Sequence, residues 1–293
     1  MLIRSMLLAG ALWVPHVDAA ARQVPLVVEV DWLAQHASDP NLVLLHVGDR
    51  REYDAGHIPG AHFIAMSDVS APHDHDNSEQ LALELPHADT LRARLERLGI
   101  SDDSRIIVYF GNDWVSPATR VIFTLDWIGL GQQTSLLNGG MRAWTGAGHG
   151  VTSDAPAIST GTLSKRTPKS LVVDAAFAQS VPARDGYHLV DGRAAVFYRG
   201  IEPTHDKAGH IPDATNIPFT SITDDDLIID TARLEALFRT AGVRPGDVVV
   251  GYCHIGQQAT AVLFAARLLG HDVRLYDGSF QDWATRNRGP VER

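Results

Sequence analysis

The chain has 293 residues, of which 45% are hydrophobic and 20% charged, and its formal net charge is -10. This apolar content is enough for two globular domains and excludes disordered and fibrous proteins. Three lysines and 22 scattered arginines lack the clustering that phosphate neutralisation requires, so we expect no nucleic acid partner. The single cysteine, Cys253, excludes an intramolecular disulfide framework and a cysteine-rich zinc site.

The first 21 residues have the pattern of a secretory signal peptide. Arg4 precedes an apolar run at 6–14, and alanines at 19–21 supply small residues for cleavage after Ala19 or Ala21. The run is too short to span a bilayer, and no cysteine follows it to carry a lipid. We therefore expect a periplasmic protein, exported and without a membrane anchor.

The rest of the chain consists of two halves that repeat the same landmarks in the same order. An apolar run at 42–47 followed by Gly-His-Ile-Pro at 56–59 corresponds to 188–191 followed by Gly-His-Ile-Pro at 209–212. Each half continues with a β-branched run, an apolar helical run opened by Ala-Thr, and a tryptophan. Because short β-branched runs alternate with amphipathic helical runs, the sequence predicts an α/β fold with parallel strands and helices on both faces of each sheet.

The repeat also predicts the domain organisation. We expect a first domain at 22–148, a linker at 149–169 and a second domain at 170–293. The connecting segment is rich in Gly, Ser, Thr and Pro and has no apolar periodicity. A linker of this length is compatible with a compact protein if it wraps over the domain surfaces.

Several histidines are further candidate functional residues. His57 and its counterpart His210 precede Ile-Pro in both halves, whereas only one half has a cysteine, so a bracing role is favoured over catalysis. His57, with Asp49 nearby, remains an alternative cleft residue. A second set lies in a polar loop without the spacing of metal ligands, so we expect no metal site there. That set is His73, Asp74, His75, Asp76 and His87.

The strongest chemical signal is Cys253. A predicted buried strand ends at this residue, and a helix begins about five residues later. In an open α/β sheet, ligands bind beyond the carboxyl ends of the strands. A loop that enters a helix directs unpaired N–H groups inward and adds the positive end of the helix dipole. We therefore expect a nucleophile that is largely thiolate near neutral pH, rather than a small buried hydrophobe.

With these residues identified, the chain resembles the two-domain rhodanese family, the sulfurtransferases of the thiosulfate and 3-mercaptopyruvate type. The resemblance covers nearly all of the exported chain and implies two tandem rhodanese-like domains. The motifs that carry it are Gly-His-Ile-Pro at 56–59 and 209–212, Asp-Gly-Arg at 191–193, Phe-Tyr-Arg-Gly-Ile-Glu-Pro at 197–203, the loop at 253–258, and Tyr-Asp-Gly-Ser at 276–279 with Trp283.

The resemblance implies sulfur transfer by double displacement. Cys253 attacks the outer sulfur of a donor such as thiosulfate, sulfite leaves, and a cysteine persulfide remains. Cyanide, a thiol or a reduced thioredoxin-like protein then accepts the sulfur. No metal or organic cofactor is required. Inward N–H groups of residues 254–258 would stabilise both the thiolate and the persulfide.

Substrate-binding candidates come from the cysteine loop and from two arginines. They are Arg193, Arg199, His254, Ile255, Gly256, Gln257 and Gln258. Arg193 matches the family arginine that holds the anionic end of the donor, although an ion pair with Asp191 or Glu202 is the alternative. Arg199 is a weaker candidate that is expected chiefly to order the insertion around it. His254 either adds positive character beside the sulfur or faces solvent.

The first domain is expected to be catalytically silent. The position opposite Cys253 falls at Phe110, Gly111 or Asn112, and none of these can act as the nucleophile. The first domain would instead cover one wall of the cleft and stabilise the second domain.

A phosphatase and a sulfur carrier are the alternatives to a sulfurtransferase. A phosphatase would need an arginine six residues after the cysteine, and that position is Ala259. A sulfur carrier without rapid turnover remains open. Among donors, thiosulfate is favoured over 3-mercaptopyruvate, because a weakly cationic loop with glutamine side chains suits a small dianion.

Overall fold

The computed structural model describes residues 24–74, 76–77 and 80–293. The predicted signal peptide at 1–21 and His75 lie outside this described part.

Two parallel sheets of five strands form the framework. The first sheet has the order β1-β5-β4-β2-β3, and the second has the order β6-β12-β11-β7-β8. The strands of the first sheet are β1 Val27–Val28, β2 Leu42–Val47, β3 Ala61–Phe63, β4 Arg105–Phe110 and β5 Thr134–Leu137. The strands of the second are β6 Val172–Val173, β7 Tyr187–Asp191, β8 Thr215–Asn216, β11 Val248–Tyr252 and β12 Val273–Tyr276. The predicted tandem α/β architecture with parallel sheets is confirmed.

Ten α-helices flank these sheets in the described part of the chain. In the first domain they are α1 Val30–His36, α2 Arg50–Ala55, α3 Ala88–Arg97, α4 Val115–Trp127 and α5 Gly140–Gly146. In the second they are α6 Ala175–Ser180, α7 Ala195–Tyr198, α8 Thr231–Thr240, α9 Gln258–Leu268 and α10 Ser279–Thr285. Three helices begin at aspartates that accept backbone N–H bonds, as N-cap residues do. These caps are Asp49 for α2, Asp174 for α6 and Asp230 for α8.

Each sheet is buried on both faces, which explains the nearly continuous apolar runs of its central strands. Leu45 and Val108 belong to the apolar cluster on one face of the first sheet. Leu44 and Ile107, their neighbours along the strands, belong to the cluster on the other face. The helices therefore cover both faces, as the alternation of strand and helix patterns predicts.

The two domains share one hydrophobic core cluster. Helix α4 of the first domain packs against α9 of the second, and Val121 and Val262 lie in the same buried cluster as Leu45. A hairpin of β9 (Thr223–Asp224) and β10 (Leu227–Ile228) adds a second contact. Its turn pairs with Arg142 of the first domain. The domains are therefore packed together rather than loosely linked.

The segment between the domains runs over the surface of the first domain. The backbone N–H of Gly161 donates to the carbonyl of Glu96 at 2.7 Å, and that of Lys169 donates to Trp127 at 2.8 Å. Thr152 and His57 exchange backbone hydrogen bonds, both at 2.9 Å. These bonds satisfy the polar backbone of a segment without regular structure. Within residues 24–74, 76–77 and 80–293, no helix combines the length and apolar character needed to cross a membrane.

Candidate active site

The site is built at the carboxyl end of β11, the central strand of the second sheet. Cys253 follows this strand directly and is fully buried. Its backbone N–H donates to the Ser279 hydroxyl at 3.2 Å, and its carbonyl accepts from the N–H of Phe280 at 2.9 Å. The turn after β12 therefore fixes the backbone on both sides of the sulfur.

Backbone N–H groups of the loop and of the first turn of α9 converge on the Cys253 sulfur. Those of Ile255, Gly256 and Ala259 hydrogen-bond it and act to lower its pKa. Burial has the larger effect, however, and raises the pKa of the Cys253 thiol above its ordinary value. The sequence predicts a lowered pKa that leaves a thiolate near neutral pH, whereas in this structure the net shift of the Cys253 pKa is upward. The difference arises because strand position does not reveal how completely a sulfur is enclosed.

The geometry of the loop depends on Gly256. Its φ is +82°, a left-handed conformation that favours glycine. A Cβ atom at this position would lie 2.7 Å from the Asp277 carbonyl oxygen and 3.2 Å from Nη1 of Arg120. The close approach of two other segments therefore leaves no room for a side chain.

Arg193 lies beside the site, but most of its guanidinium is committed to the protein. It is fully buried. Its Nε donates to both carboxylate oxygens of Asp191 at 3.0 Å, and Nη2 donates to Asp191 at 2.6 Å and to the Gly209 carbonyl at 2.8 Å. Burial acts to lower the pKa of Arg193, but Asp191 outweighs it, and the Cys253 charge also raises this pKa. The expected donor-binding arginine is thus near the sulfur and is half of a buried ion pair.

His254 is partly buried against α7. Its ring meets that of Phe197 edge-on, with centroids 4.7 Å apart. Burial and the charge of Arg193 lower the pKa of His254 to about 4, so the imidazole is neutral at neutral pH. His254 therefore does not place a positive charge beside the sulfur, which was one of the two alternatives predicted from the sequence.

His205, which the sequence did not single out, lies over the same loop. It has a φ of +50°, and burial and Arg193 lower its pKa, while the His254 backbone raises it. Its Nε2 atom is buried without a hydrogen-bond partner among the described residues. Because contacts across 49 positions place this ring, no local pattern could have identified it.

Three other predicted site residues, Gln257, Gln258 and Arg199, each have different surroundings. The Gln257 side chain donates to the Ser116 hydroxyl of the first domain at 3.4 Å. Gln258 is the first residue of α9, and its Oε1 is buried and unpaired within the described part of the chain. Arg199 is exposed, and its guanidinium has no hydrogen bond or ion pair with the described residues, so its role in ordering the insertion stays a prediction.

The first domain forms one wall of the site. Trp114, at the start of α4, is 55% exposed and stacks on Phe219 with ring centroids 4.7 Å apart. The Phe219 N–H donates to the Gly192 carbonyl, next to Arg193, at 2.9 Å. Deeper in the interface, the hydroxyl groups of Thr119 and Thr260 hydrogen-bond at 3.0 Å. These contacts supply the wall that the sequence assigns to the first domain.

Arg120 is a further residue that the sequence reasoning missed. It is fully buried on α4, and its guanidinium donates to the carbonyl of Gly256 in the cysteine loop at 3.1 Å. The available signal was the internal repeat, because Ala118-Thr119 matches Ala259-Thr260 and places the next residue opposite the start of α9.

The structure shows which residue of the first domain stands opposite Cys253. The hydroxyl of Tyr109 accepts from the Ile58 N–H at 3.1 Å, and that of Tyr252 accepts from the Ile211 N–H at 3.1 Å. Tyr109 and Tyr252 are therefore equivalent, and Phe110 corresponds to Cys253. A phenyl side chain provides no nucleophile at this position.

The repeated histidines brace their turns. Nδ1 of His57 bonds the Tyr53 carbonyl at 2.8 Å, and its ring stacks on Tyr53 with centroids 3.9 Å apart. His210 repeats both contacts with Tyr198, at 2.8 Å and 3.8 Å. Asp49 caps α2 through the N–H groups of Arg51 and Glu52. The alternative in which His57 and Asp49 face the cleft therefore finds no support.

The described residues of the polar loop around His73 have local hydrogen-bond partners. The Asp74 carboxylate accepts the Asp76 N–H at 3.0 Å, and Nε2 of His73 bonds the Gln80 carbonyl at 3.3 Å. No group of three or more His, Cys, Asp or Glu side chains placed for a metal ion occurs in residues 24–74, 76–77 and 80–293.

Comparison with known proteins supports this tandem architecture. The family described as "Rhodanese-like domain" matches residues 29–147 and 175–286. The chain belongs to the two-domain rhodanese family of sulfurtransferases. Its match to the "Probable 3-mercaptopyruvate sulfurtransferase" of Pseudomonas aeruginosa is 34% identical and covers 88% of this chain and 95% of that protein.

The names of further relatives include both sulfur donors. The thiosulfate sulfurtransferase of Rattus norvegicus is 32% identical over 81% of this chain and 80% of its own length. The crystal structure of SseA from Escherichia coli, described as a 3-mercaptopyruvate sulfotransferase, has a TM-score of 0.77 and 27% identity over 87% of this chain and 99% of that chain. Family membership therefore establishes sulfur transfer and leaves the donor open.

Proposed function

We propose that the chain moves a sulfur atom from a small anionic donor to a thiophilic acceptor through a persulfide on Cys253. The observation that carries this proposal is the convergence of three backbone N–H groups on one buried sulfur at a strand end. An anion on that sulfur is stabilised in the thiolate and again in the persulfide. One rigid loop can therefore serve both halves of a double displacement.

The two candidate donors lead to the same intermediate. The Cys253 thiolate attacks the outer sulfur of thiosulfate, the S–S bond breaks, and sulfite leaves with the bonding pair. With 3-mercaptopyruvate the C–S bond breaks, and the pair leaves on carbon as the pyruvate enolate, which then takes a proton. Cyanide, a thiol or a thioredoxin-like protein then attacks the outer persulfide sulfur and releases the thiolate.

Charge balance around the sulfur favours 3-mercaptopyruvate as the preferred donor. The Arg193 charge is largely balanced by Asp191 at 2.6 Å, and His254 is neutral because its pKa is about 4. A carboxylate with one charge needs less compensation than the dianion thiosulfate. Thiosulfate, which the sequence favours, is the second candidate, and the named relatives include both classes.

The test is to compare kcat/KM for the two donors on the purified protein, with pyruvate and sulfite release as readouts and a thiol as acceptor. We expect many turnovers with either donor and a higher kcat/KM with 3-mercaptopyruvate. A higher value with thiosulfate would reverse the donor assignment. Release of a single equivalent of product, without turnover, would instead support the sulfur carrier.

We also propose that the protein acts in the periplasm. The support is the residue pattern at 1–21, with Arg4, an apolar run and alanines before a cleavage point. The intact mass of the protein from a periplasmic fraction tests this. A chain beginning near Ala20 or Arg22 is expected, and a soluble periplasmic species that retains Met1 would contradict it.

A further inference from the structure

Arg120 belongs to the silent first domain, but its side chain ends beneath the cysteine loop of the second. It lies on α4, in the helix pair that joins the domains, and none of its surface is exposed. The side chain therefore crosses the domain interface without contact with bulk water. A cation in such a place requires partners that compensate its desolvation.

Three segments supply those partners. Nη1 donates to the Gly256 carbonyl at 3.1 Å and to the Asp277 carboxylate at 2.7 Å, and Nη2 donates to the Leu83 carbonyl. The other carboxylate oxygen of Asp277 accepts the N–H of Leu85 at 2.9 Å. Arg120 thus links the cysteine loop, the turn after β12 and the segment around Leu83 and Leu85.

The bond to Gly256 restrains the peptide that connects two N–H donors to the sulfur, Gly256 on one side and Ala259 at the start of α9 on the other. In a planar trans peptide, the Gly256 carbonyl and the Gln257 N–H point to opposite sides. Holding the carbonyl toward Arg120 therefore fixes the orientation of this peptide. Glycine at φ +82° has more backbone freedom than other residues, so an external restraint matters most here.

The same contacts give Arg120 little direct electrostatic effect on the sulfur. The Asp277 carboxylate lies 2.7 Å from the guanidinium and neutralises most of its charge. A buried ion pair of this kind also adds little net stability to the fold. The feature that distinguishes it from other interface pairs is its contact with the Gly256 carbonyl, adjacent to the N–H groups that meet Cys253. An orienting role fits these contacts better than a role in holding the domains together.

We propose that Arg120 is a positioning residue, which holds the cysteine loop so that its N–H groups point at the Cys253 sulfur. The catalytically silent domain would thereby contribute to the reactivity of the other domain. The proposal rests on the proposed function only in that Cys253 is the reacting group.

The test is the pH profile of Cys253 alkylation by iodoacetamide, a neutral reagent that needs no sulfur donor. We expect Arg120→Met to shift the midpoint upward by about one pH unit. The reason is that a misoriented loop loses about one N–H hydrogen bond to the sulfur anion, which is worth roughly that much. At pH 7.5 alkylation would be about tenfold slower, and kcat for sulfur transfer would fall while the donor KM changes less.

A matched control is available in the same interface. Arg267 on α9 pairs with Asp126 on α4 at 3.0 Å, so it also joins the domains, but this ion pair does not involve the cysteine loop. Arg267→Met should leave the alkylation midpoint at the wild-type value. An equal shift in both variants would show that general interface loss is responsible, and it would overturn the proposal.

A folded Arg120→Met protein with the wild-type profile would also overturn it. If Arg120→Met does not fold, Arg120→Lys decides the matter, because lysine keeps the charge but lacks the planar fork that reaches several acceptors. We expect an intermediate upward shift for Lys, and an unchanged midpoint would reject the positioning role. Wild-type protein that is alkylated but transfers no sulfur would refute the proposed function alone.

Discussion

At the scale of single residues, Cys253 is subject to two opposed effects. Enclosure raises the pKa of its thiol, while the N–H groups of Ile255, Gly256 and Ala259 lower it. Cys253 is also the single cysteine of the sequence, so no second thiol of the same chain can form a disulfide with it. The site thus restricts access to the sulfur and relies on the loop to stabilise its anion.

We predict that Cys253→Ser abolishes sulfur transfer while leaving the fold intact. Serine is nearly the same size, but its hydroxyl stays protonated at neutral pH and cannot hold a persulfide. Product release should fall to the uncatalysed rate, and the thermal midpoint should change little. Mass spectrometry of the wild type treated with donor should show one added sulfur on the Cys253 peptide. Substantial turnover by the serine variant would contradict the assignment.

A second residue-scale prediction separates two roles of Arg193. Arg193→Ala should lower the free energy of unfolding by about 3–5 kcal/mol, because Asp191 is left buried and unpaired. It should also raise the donor KM. The double variant with Asp191→Ala should recover part of the stability, since no lone charge remains, but not the KM. Urea unfolding and steady-state kinetics measure the two effects.

If Arg193→Ala leaves the KM for both donors unchanged, the anionic group of the donor binds elsewhere. Arg199 would then be the next candidate, because it is exposed and its guanidinium has no ion pair with the described residues.

At the scale of elements, the strand, loop and helix around Cys253 were predictable from the sequence. The apolar run at 248–252 and the Ala-Thr helix start are local patterns, and the repeat predicts parallel sheets because both halves alternate in the same way. The burial of Cys253 and of His254 was not predictable. Both depend on the insertion and on the first domain, whose residues reach the loop only after the chain folds.

The contact partners of the predicted site residues were also outside the reach of local patterns. Arg120 meets Gly256 across 136 positions, and Gln257 meets Ser116 across 141. The pairing of Arg193 with Asp191 is close in sequence and was named as an alternative, but the choice between the pair and a donor depends on burial. Long-range packing therefore decided what the motif left open.

At this scale we predict that Gly256→Ala damages the site. The residue has φ +82°, and its Cβ would lie 2.7 Å from the Asp277 carbonyl oxygen. Gly246→Ala is a matched control, because its φ is +87° but nothing lies within 4 Å of a Cβ there. Both variants carry the strain of a left-handed alanine, about 1–2 kcal/mol.

Only Gly256→Ala adds a clash inside the cysteine loop. We expect it to lose most sulfur-transfer activity and more thermal stability than Gly246→Ala, which should retain wild-type kcat. Calorimetry and steady-state rates on both variants provide the comparison. Equal losses of activity in the two alanine variants would mean that the geometry of this loop is not critical.

At the scale of the whole molecule, the interface makes the two domains one unit. The core cluster continues from α4 into α9, and the hairpin β9–β10 contacts Arg142 from the other side. The second domain carries Cys253, whereas the first has a hydrophobic sheet and the bracing His57 without a cysteine. The two domains differ in this way because Phe110 occupies, in the first domain, the position that Cys253 occupies in the second.

The first domain also contains a buried histidine without partners. His46 is 1% exposed, and neither ring nitrogen has a hydrogen-bond partner among the described residues. It is surrounded by the rings of Tyr53, Phe63 and Tyr109. Burial, aided by His57 and opposed by Glu52, lowers the pKa of His46 to about 4 from 6.5.

This lowered pKa contributes to the acid response of the whole molecule, as does the pKa of about 4 at His254. Below pH 6.5 the unfolded chain binds a proton at His46 that the native chain takes up only near pH 4, so stability is lost as pH falls through this window. The loss is about 3 kcal/mol for this group. His46→Leu should therefore reduce the difference in unfolding free energy between pH 7.5 and pH 4.5, as measured by urea titration. It should also stabilise the protein at pH 7.5 by about 1 kcal/mol, because unpaired polar atoms are removed.

The control is His87→Gln, at an exposed position, which should leave the loss of unfolding free energy on acidification unchanged. If His46→Leu loses as much stability on acidification as the wild type, His46 is not the group responsible.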